Sequence, residues 1–250
     1  MERGDRPAVG TFYSRAPFSS GGVVRLSEAA AHHARVKRLE PRDCVRLTNG
    51  AGEIASGTIA SLDRSAVDVV VEAVDTIAAP APIHLRVPVA DRDRMLWLAE
   101  KATELGVTTW QAVRFRRSMS VSPRGEGGVF ADKLRLRMIA ALEQSTGAWL
   151  PRILPDTTLD ALDASGDTLP IVLDICGAPL AHTLAHTLAA RPSAEPVLLV
   201  GPEGGVETDE RDLLAARGWT AASLAPSTLR FETAGIAAVA VARAERASSR

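Results

Sequence analysis

Hydrophobic and polar positions change period once along this chain, and the change falls near residue 80. Between residues 44 and 74 apolar and polar residues alternate, the two-residue period of half-buried strands. Residues 44–48 and 53–59 flank Asn49-Gly50-Ala51-Gly52, and Asn-Gly between alternating segments predicts a hairpin. Residues 66–74 predict another strand. One segment breaks the rule: Ser27, a residue able to cap free N–H groups, precedes an alanine-rich run to Val36, which predicts a helix. The first 78 residues therefore read as a small barrel-like β domain. It ends at Ala78-Ala79-Pro80-Ala81-Pro82, a stiff linker whose prolines stop sheet and helix alike.

Beyond the linker, strands alternate with helices. Residues 83–87 predict a strand and 91–105 a helix, with Met95, Leu98, Ala102 and Leu105 on one face and Gly106 as its stop. A strand over 108–113 leads into an arginine-bearing loop, expected to be flexible, that reaches Gly128. A helix follows over 132–146. Residues 169–173 and 196–200 are apolar enough to be central parallel strands. The last elements are a helix over 208–217, a strand over 220–224 and a helix over 233–247. This alternation predicts an α/β domain over residues 79–250.

Composition narrows the class. The chain has 250 residues, 46% hydrophobic and 24% charged, as expected of a packed globular protein. No apolar run approaches the ~20 residues needed to span a bilayer. The opening Met1-Glu2-Arg3-Gly4-Asp5-Arg6 leads into no hydrophobic signal segment. Cys44 and Cys176 lie far apart and form no CxxC pair, so neither a disulfide framework nor a metal site is expected. These features suggest a cytoplasmic protein without a membrane partner. The net charge of -1 hides an asymmetry: residues 86–137 carry 11 basic and 6 acidic side chains, residues 138–250 carry 8 and 14. The basic middle is where a polyanion could dock, although a solvated charged surface has the same composition. Arginine makes up 26 of the 29 basic residues and suits bidentate phosphate contacts.

Two glycine- and proline-bearing segments stand out near the C-terminus. Val200-Gly201-Pro202-Glu203-Gly204-Gly205 follows an apolar run, and Leu224-Ala225-Pro226-Ser227-Thr228-Leu229-Arg230-Phe231-Glu232-Thr233-Ala234 precedes a helix. The first lacks the Gly-Lys-Ser/Thr of a P-loop, and no GxGxxG occurs. A glycine loop without lysine suits a ligand held by backbone groups and shape, such as an adenosine moiety; it also suits a plain strand-to-helix connection. Glu232 or Thr233 could cap the following helix. Two such loops could clamp one small molecule between them. His182 and His186 are spaced i, i+4, but no HExxH glutamate or third ligand accompanies them. An amphipathic helix without metal is the expectation there.

These loops resemble the cofactor site of the SPOUT methyltransferases, and further stretches match one of their families in order. His33-Ala34-Arg35-Val36-Lys37-Arg38-Leu39 with Cys44-Val45-Arg46-Leu47, then Arg94-Met95, Glu100-Lys101-Ala102-Thr103-Glu104-Leu105-Gly106-Val107, Arg117-Ser118 and Glu143-Gln144-Ser145 with Pro151 resemble the ribosomal RNA small-subunit methyltransferase E (RsmE) family. The chain departs from that family's pattern at Asp91, Arg92, Arg116, Gly147 and the segment from Ala225 to Ser227. The resemblance implies a PUA-like RNA-binding β-barrel over 1–78 and a SPOUT α/β domain with a C-terminal trefoil knot over 79–250. It implies a homodimer that methylates uridine N3 in 16S rRNA of the small ribosomal subunit, with S-adenosylmethionine as cofactor. Carried onto this chain, the cofactor residues are Leu199, Val200, Gly201, Pro202, Gly204, Gly205, Leu224, Ala225, Ser227 and Leu229. Arg230 would stabilise charge on the uracil, while Glu203 or Glu232 would assist proton removal or orient Arg230. Lys101, Arg114, Arg116, Arg117 and Arg135 are the candidates for RNA phosphate contacts. A knotted methyltransferase with another RNA target and a non-catalytic RNA-binding or ribosome-assembly protein of the same fold remain the alternatives.

Overall fold

The computed structural model describes residues 8–120 and 124–248. The opening hexapeptide read above as no signal segment, and residues 121–123 of the arginine-bearing loop, lie outside the described residues. The chain divides into two units: Met1–Ala79 with Ile139–Leu150, and Pro80–Met138 with Pro151–Arg250.

In the first unit the strands β1 (Thr11–Tyr13), β2 (Val23–Leu26), β3 (Cys44–Thr48), β4 (Glu53–Leu62) and β5 (Val67–Thr76) form one sheet in the order β1-β3-β4-β5-β2. Only the β1–β3 pair is parallel. The Asn-Gly turn joins β3 to β4: Asn49 Oδ1 accepts the N–H groups of Ala51 at 2.8 Å and Glu53 at 3.1 Å, an Asx arrangement that local side-chain chemistry favours. Helix α1 (Glu28–Val36) begins at Ser27, whose hydroxyl accepts the Ala30 N–H. Ala31 and Ala34 of α1 pack with Phe12, Leu47, Ile59 and the inward positions Val67, Val69 and Val71 of β5. The short strands β1 and β2 carried too little alternation to be foreseen.

The segment 139–150 belongs here for identifiable reasons. Glu143 Oε1 accepts the Tyr13 N–H at 2.8 Å, and Trp149 Nε1 donates to the Ile77 carbonyl at 3.0 Å. Leu150 N–H donates to the Gly50 carbonyl at 2.9 Å. These are long-range bonds that no local pattern announces.

The second unit contains β6 (His84–Pro88), α2 (Arg92–Glu104), β7 (Thr109–Arg114), α3 (Gly128–Gln144), β8 (Arg152–Ile153), β9 (Thr157–Thr158), β10 (Thr168–Pro179), α4 (Leu180–Ala190), β11 (Glu195–Leu199), α5 (Thr208–Ala216), β12 (Thr220–Ser223) and α6 (Phe231–Ser248). The last residues of α3 group with the first unit. The sheet order is β12-β10-β11-β6-β7-β8, with β9 also on β7, and every pairing is parallel. Leu85, Val87, Ile171, Leu198 and Leu199 are fully buried, as strands covered on both faces require. Asp91 caps α2 by accepting the N–H groups of Asp93 and Arg94. Helix α6 packs on α2, where a Cβ at Gly235 would meet Leu98 at 2.9 Å.

The structure departs from the sequence reading in three places. Helices α3 and α6 start four and two residues earlier than expected. Part of the arginine-bearing loop, Arg116–Ser120, is a 3-10 turn. Strand β10 does not stop at Leu173: residues 174–177 loop out, and both Leu173 and Ala178 register with Ala222 of β12. No helix among the described residues is long and apolar enough to cross a membrane.

Candidate functional site: a cavity at the strand ends

Parallel strands all end on one side of the sheet, and loops leaving those ends are the usual place for a ligand. Here the ends of β10, β11 and β12 surround a cavity of about 190 Å³. Leu173, Asp174 and Ile175 line it from β10; Val200, Gly201, Pro202, Gly205 and Val206 line it after β11. The segment from Ala222 to Ala225, with Ser227, Thr228 and Leu229, closes the third side. Arg211 of α5 and Phe231 and Ala234 of α6 complete the wall. The glycines are required by geometry. A Cβ on Gly201 would sit 2.9 Å from Val206 Cγ2, and Gly205 has φ +77°, a conformation that only glycine adopts without strain.

Eight of the ten residues expected at a cofactor line this cavity: Val200, Gly201, Pro202, Gly205, Leu224, Ala225, Ser227 and Leu229. Leu199 does not; it is fully buried in the core beneath. Gly204 is turned towards Arg117, whose Cδ would lie 3.0 Å from a Cβ there and whose Nη1 donates to the Gly204 carbonyl. Asp174 and Arg211 are the charged lining side chains that sequence reasoning missed. They pair with each other at 3.0 Å. Gly177, a glycine inside a strand-like run, was the available signal for the bulge that brings Asp174 in.

Arg230, Glu203 and Glu232 stand beside the cavity wall in sequence, not in it. Arg230 is exposed, lies between the lining residues Leu229 and Phe231, and has no ion pair among the described residues. Glu203 pairs with Arg94. Glu232, in the first turn of α6, is buried, and its Oε2 has no partner among the described residues.

Most of the expected phosphate ligands are engaged within the chain. Lys101 lies 2.9 Å from Glu100 and 2.8 Å from Glu104, and the hydrogen bonds it donates to Glu104 and then Glu100 hold its ammonium above the usual lysine range. Arg114 pairs with Glu126 at 3.0 Å. Arg116 pairs with Glu207 at 3.2 Å and with Asp209, and Arg117 with the same Glu207 at 3.2 Å. Arg135 is half-buried on α3. The basic middle of the chain is thus neutralised in part by its acidic C-terminal third. Exposed pairs of this kind contribute little to stability, so a phosphate can replace the carboxylate.

A second polar chain lies away from the cavity. Arg86 Nη1 donates to Thr109 Oγ1 at 3.0 Å, Thr109 Oγ1 lies 2.8 Å from His84 Nδ1, and His84 Nε2 lies 2.7 Å from Glu195 Oε2. Burial lowers His84 below its ordinary value and outweighs the opposing hydrogen bond to Glu195. Burial, with Arg152 nearby, also lowers Arg86 to about 10. His182 and His186 are both exposed on α4 with ring centres 6.4 Å apart. No group of three potential metal ligands occurs among the described residues.

A parallel α/β unit with a glycine-walled cavity at its strand ends, accompanied by a small β unit, defines a two-part protein with room for a small molecule. Family comparison gives it a place. Residues 78–243 match the RNA methyltransferase domain and residues 26–72 the RNA methyltransferase PUA domain, and the chain belongs to this RNA methyltransferase family. Proteins named ribosomal RNA small subunit methyltransferase E are among its relatives. One from Synechocystis is 25% identical over 87% of this chain and 72% of its own length. Another from Mycobacterium bovis is 27% identical over 89% and 86%. The crystal structure of ribosomal RNA small subunit methyltransferase E from Neisseria gonorrhoeae bound to S-adenosyl methionine superposes with a TM-score of 0.80 and 26% identity, covering 94% of this chain and 97% of that one. The resemblance read from the motifs is borne out at the level of the family.

Proposed function

We propose that this protein transfers a methyl group from S-adenosylmethionine to N3 of a uridine in 16S rRNA of the small ribosomal subunit. The observation that carries the reading is the glycine-walled cavity at the strand ends with Arg230 at its edge, an arginine without an ion pair among the described residues. Membership of the RNA methyltransferase family and the names of its relatives support it.

The lining fits the cofactor. Leu173, Ile175, Val206, Leu224, Leu229 and Phe231 offer apolar faces for an adenine ring, while Gly201 and Gly205 leave backbone edges unobstructed. Bound there, S-adenosylmethionine supplies a methyl group already activated by its sulfonium charge, so the protein's task is positioning and electrostatics. Uridine N3 is a weakly acidic imide that becomes nucleophilic on losing its proton. Arg230 stabilises the negative charge that then develops on the uracil oxygens. Glu203 is committed to Arg94, whereas Glu232 Oε2 has unmet acceptor capacity among the described residues; Glu232 takes the N3 proton or orients Arg230.

Arg114, Arg116, Arg117 and Lys101 exchange their internal carboxylates for RNA phosphates, Arg135 adds a further phosphate contact, and the PUA-like domain over 1–78 adds RNA surface. The domain over 79–250 carries the chemistry and a C-terminal knot. The knot is what the family resemblance implies. After β12 at the sheet edge the chain returns to pack α6 on α2, and Arg243 of α6 donates to the carbonyls of Leu105 and Ala81 at 3.2 and 2.8 Å. The enzyme acts in the cytoplasm as a homodimer, as the family resemblance implies.

Calorimetric titration with S-adenosylmethionine tests the reading. Saturable binding near one molecule per chain supports it. Intact RNA binding without cofactor binding would overturn it and leave a non-catalytic RNA-binding protein.

A further inference from the structure

We propose that Asp174 and Arg211 form the subsite for the amino-acid headgroup of the cofactor, Asp174 accepting from its α-ammonium and Arg211 donating to its α-carboxylate. This rests on the reading that the cavity takes S-adenosylmethionine.

Asp174 and Arg211 are the only charged side chains among the lining residues. The remaining wall is apolar or backbone, with the hydroxyls of Ser223, Ser227 and Thr228, and suits an uncharged nucleoside. The charged pair marks one end of the cavity as different. Asp174 is only 11% exposed and Arg211 is 52% exposed, with Arg211 Nε 3.0 Å from Asp174 Oδ2. The acid is therefore the inner member and the guanidinium the rim member.

The pair is built, and the backbone fixes its inner member. Residues 174–177 loop out of β10 between two residues that share Ala222 as partner. Asp174 Oδ1 accepts the Cys176 N–H at 2.9 Å, which orients the carboxylate. Each carboxylate oxygen has one partner and keeps a second lone pair. Arg211 is held in the first turn of α5, where its N–H bonds to the Glu207 carbonyl at 2.9 Å. Of its five guanidinium donors, only Nε is engaged among the described residues.

An amino-acid headgroup carries the complement of this pair on a single carbon. Its ammonium completes the hydrogen bonding of Asp174, and its carboxylate meets the Nη groups of Arg211. Both contacts are charge-assisted and stronger than neutral ones. A nucleoside lacking the headgroup makes neither, whereas a ribose diol on Asp174 would leave the arginine unused.

Titration of wild type, Asp174→Asn, Arg211→Leu and Arg211→Lys with S-adenosylhomocysteine and with 5′-methylthioadenosine separates these cases. The second ligand keeps the adenine and ribose but lacks the amino acid. The expected result is about ten-fold or greater loss of S-adenosylhomocysteine affinity in Asp174→Asn and Arg211→Leu. Affinity for 5′-methylthioadenosine stays within about two-fold of wild type, and Arg211→Lys recovers part of the loss. Equal losses for both ligands, or no loss for either, would overturn the assignment. A wild-type protein that binds neither ligand would overturn the cofactor reading itself.

Discussion

A Cβ on Gly177 would lie 2.4 Å from the backbone nitrogen of Ala222. Because glycine has none, β10 can loop out residues 174–177 and rejoin β12 at once, with Leu173 and Ala178 both registered on Ala222. A bulge of this kind re-aims side chains beside a site. Here it delivers Asp174 and Ile175 to the cavity wall.

Gly177→Ala is therefore expected to destabilise the protein by about 1–3 kcal/mol, the usual range for forcing an atom into filled space. It should also weaken S-adenosylhomocysteine binding, since the displaced backbone carries Asp174. Gly128→Ala is the control: its Cβ would meet nothing within 4 Å. Denaturant unfolding and titration of both variants check this. Equal behaviour of the two would contradict the role given to the close approach.

Arg230→Ala should separate chemistry from folding. Its guanidinium is exposed and makes no ion pair among the described residues, so the melting temperature and cofactor affinity should stay near wild type. Methyl transfer should fall about 100-fold or more, as when an oxyanion donor is removed. Single-turnover assays with saturating RNA and cofactor measure the loss.

Arg117 has two attachments with different consequences. Its Nη1 holds the Gly204 carbonyl and its Nε pairs with Glu207, so Arg117→Ala should loosen the glycine turn and weaken cofactor binding as well as RNA binding. Lys101→Ala, on a residue that pairs with Glu100 and Glu104, should affect RNA binding alone. For each RNA phosphate that a variant no longer neutralises, the slope of log affinity against log salt should fall by about 0.7–0.9. RNA titrations at several salt concentrations, paired with cofactor titrations, distinguish the two variants.

The elements that local chemistry dictates were legible from the sequence. Ser27 announces its helix as a cap, Asn49-Gly50 announces its hairpin, and the apolar run before Gly201 announces β11 and the loop after it. Most of the cavity wall followed from those two loops. What stayed hidden depends on distant partners. Asp174 looks like the residue that ends an apolar strand, and only its register against Ala222 shows that the strand continues. Arg116 and Arg117 look like free cations until Glu207, about ninety residues on, is found beside them. Glu143 and Trp149 read as parts of the middle of an α/β domain, yet their bonds go to Tyr13 and Ile77.

His84 gives a pH dependence of known sign. Its folded-state value lies below the ordinary 6.5 because burial outweighs Glu195, so the unfolded chain takes up the proton more readily. The stabilisation is complete above 6.5 and is lost as pH falls through the folded value. Unfolding free energy should decline as pH falls below 6.5, and less steeply in His84→Gln. His33, lowered by burial and then by Lys37 and His32, adds a decline of the same sign in the first unit. Denaturant melts across this range provide the check.

The most direct test of the central claim is the identity of the product. Purified protein, methyl-labelled S-adenosylmethionine and small ribosomal subunits lacking the modification are combined, and the digested 16S rRNA is analysed by mass spectrometry. The account predicts labelled 3-methyluridine, lost with Arg230→Ala. Label on a ribose, on another base or in another RNA, or no transfer despite saturable cofactor binding, would contradict it.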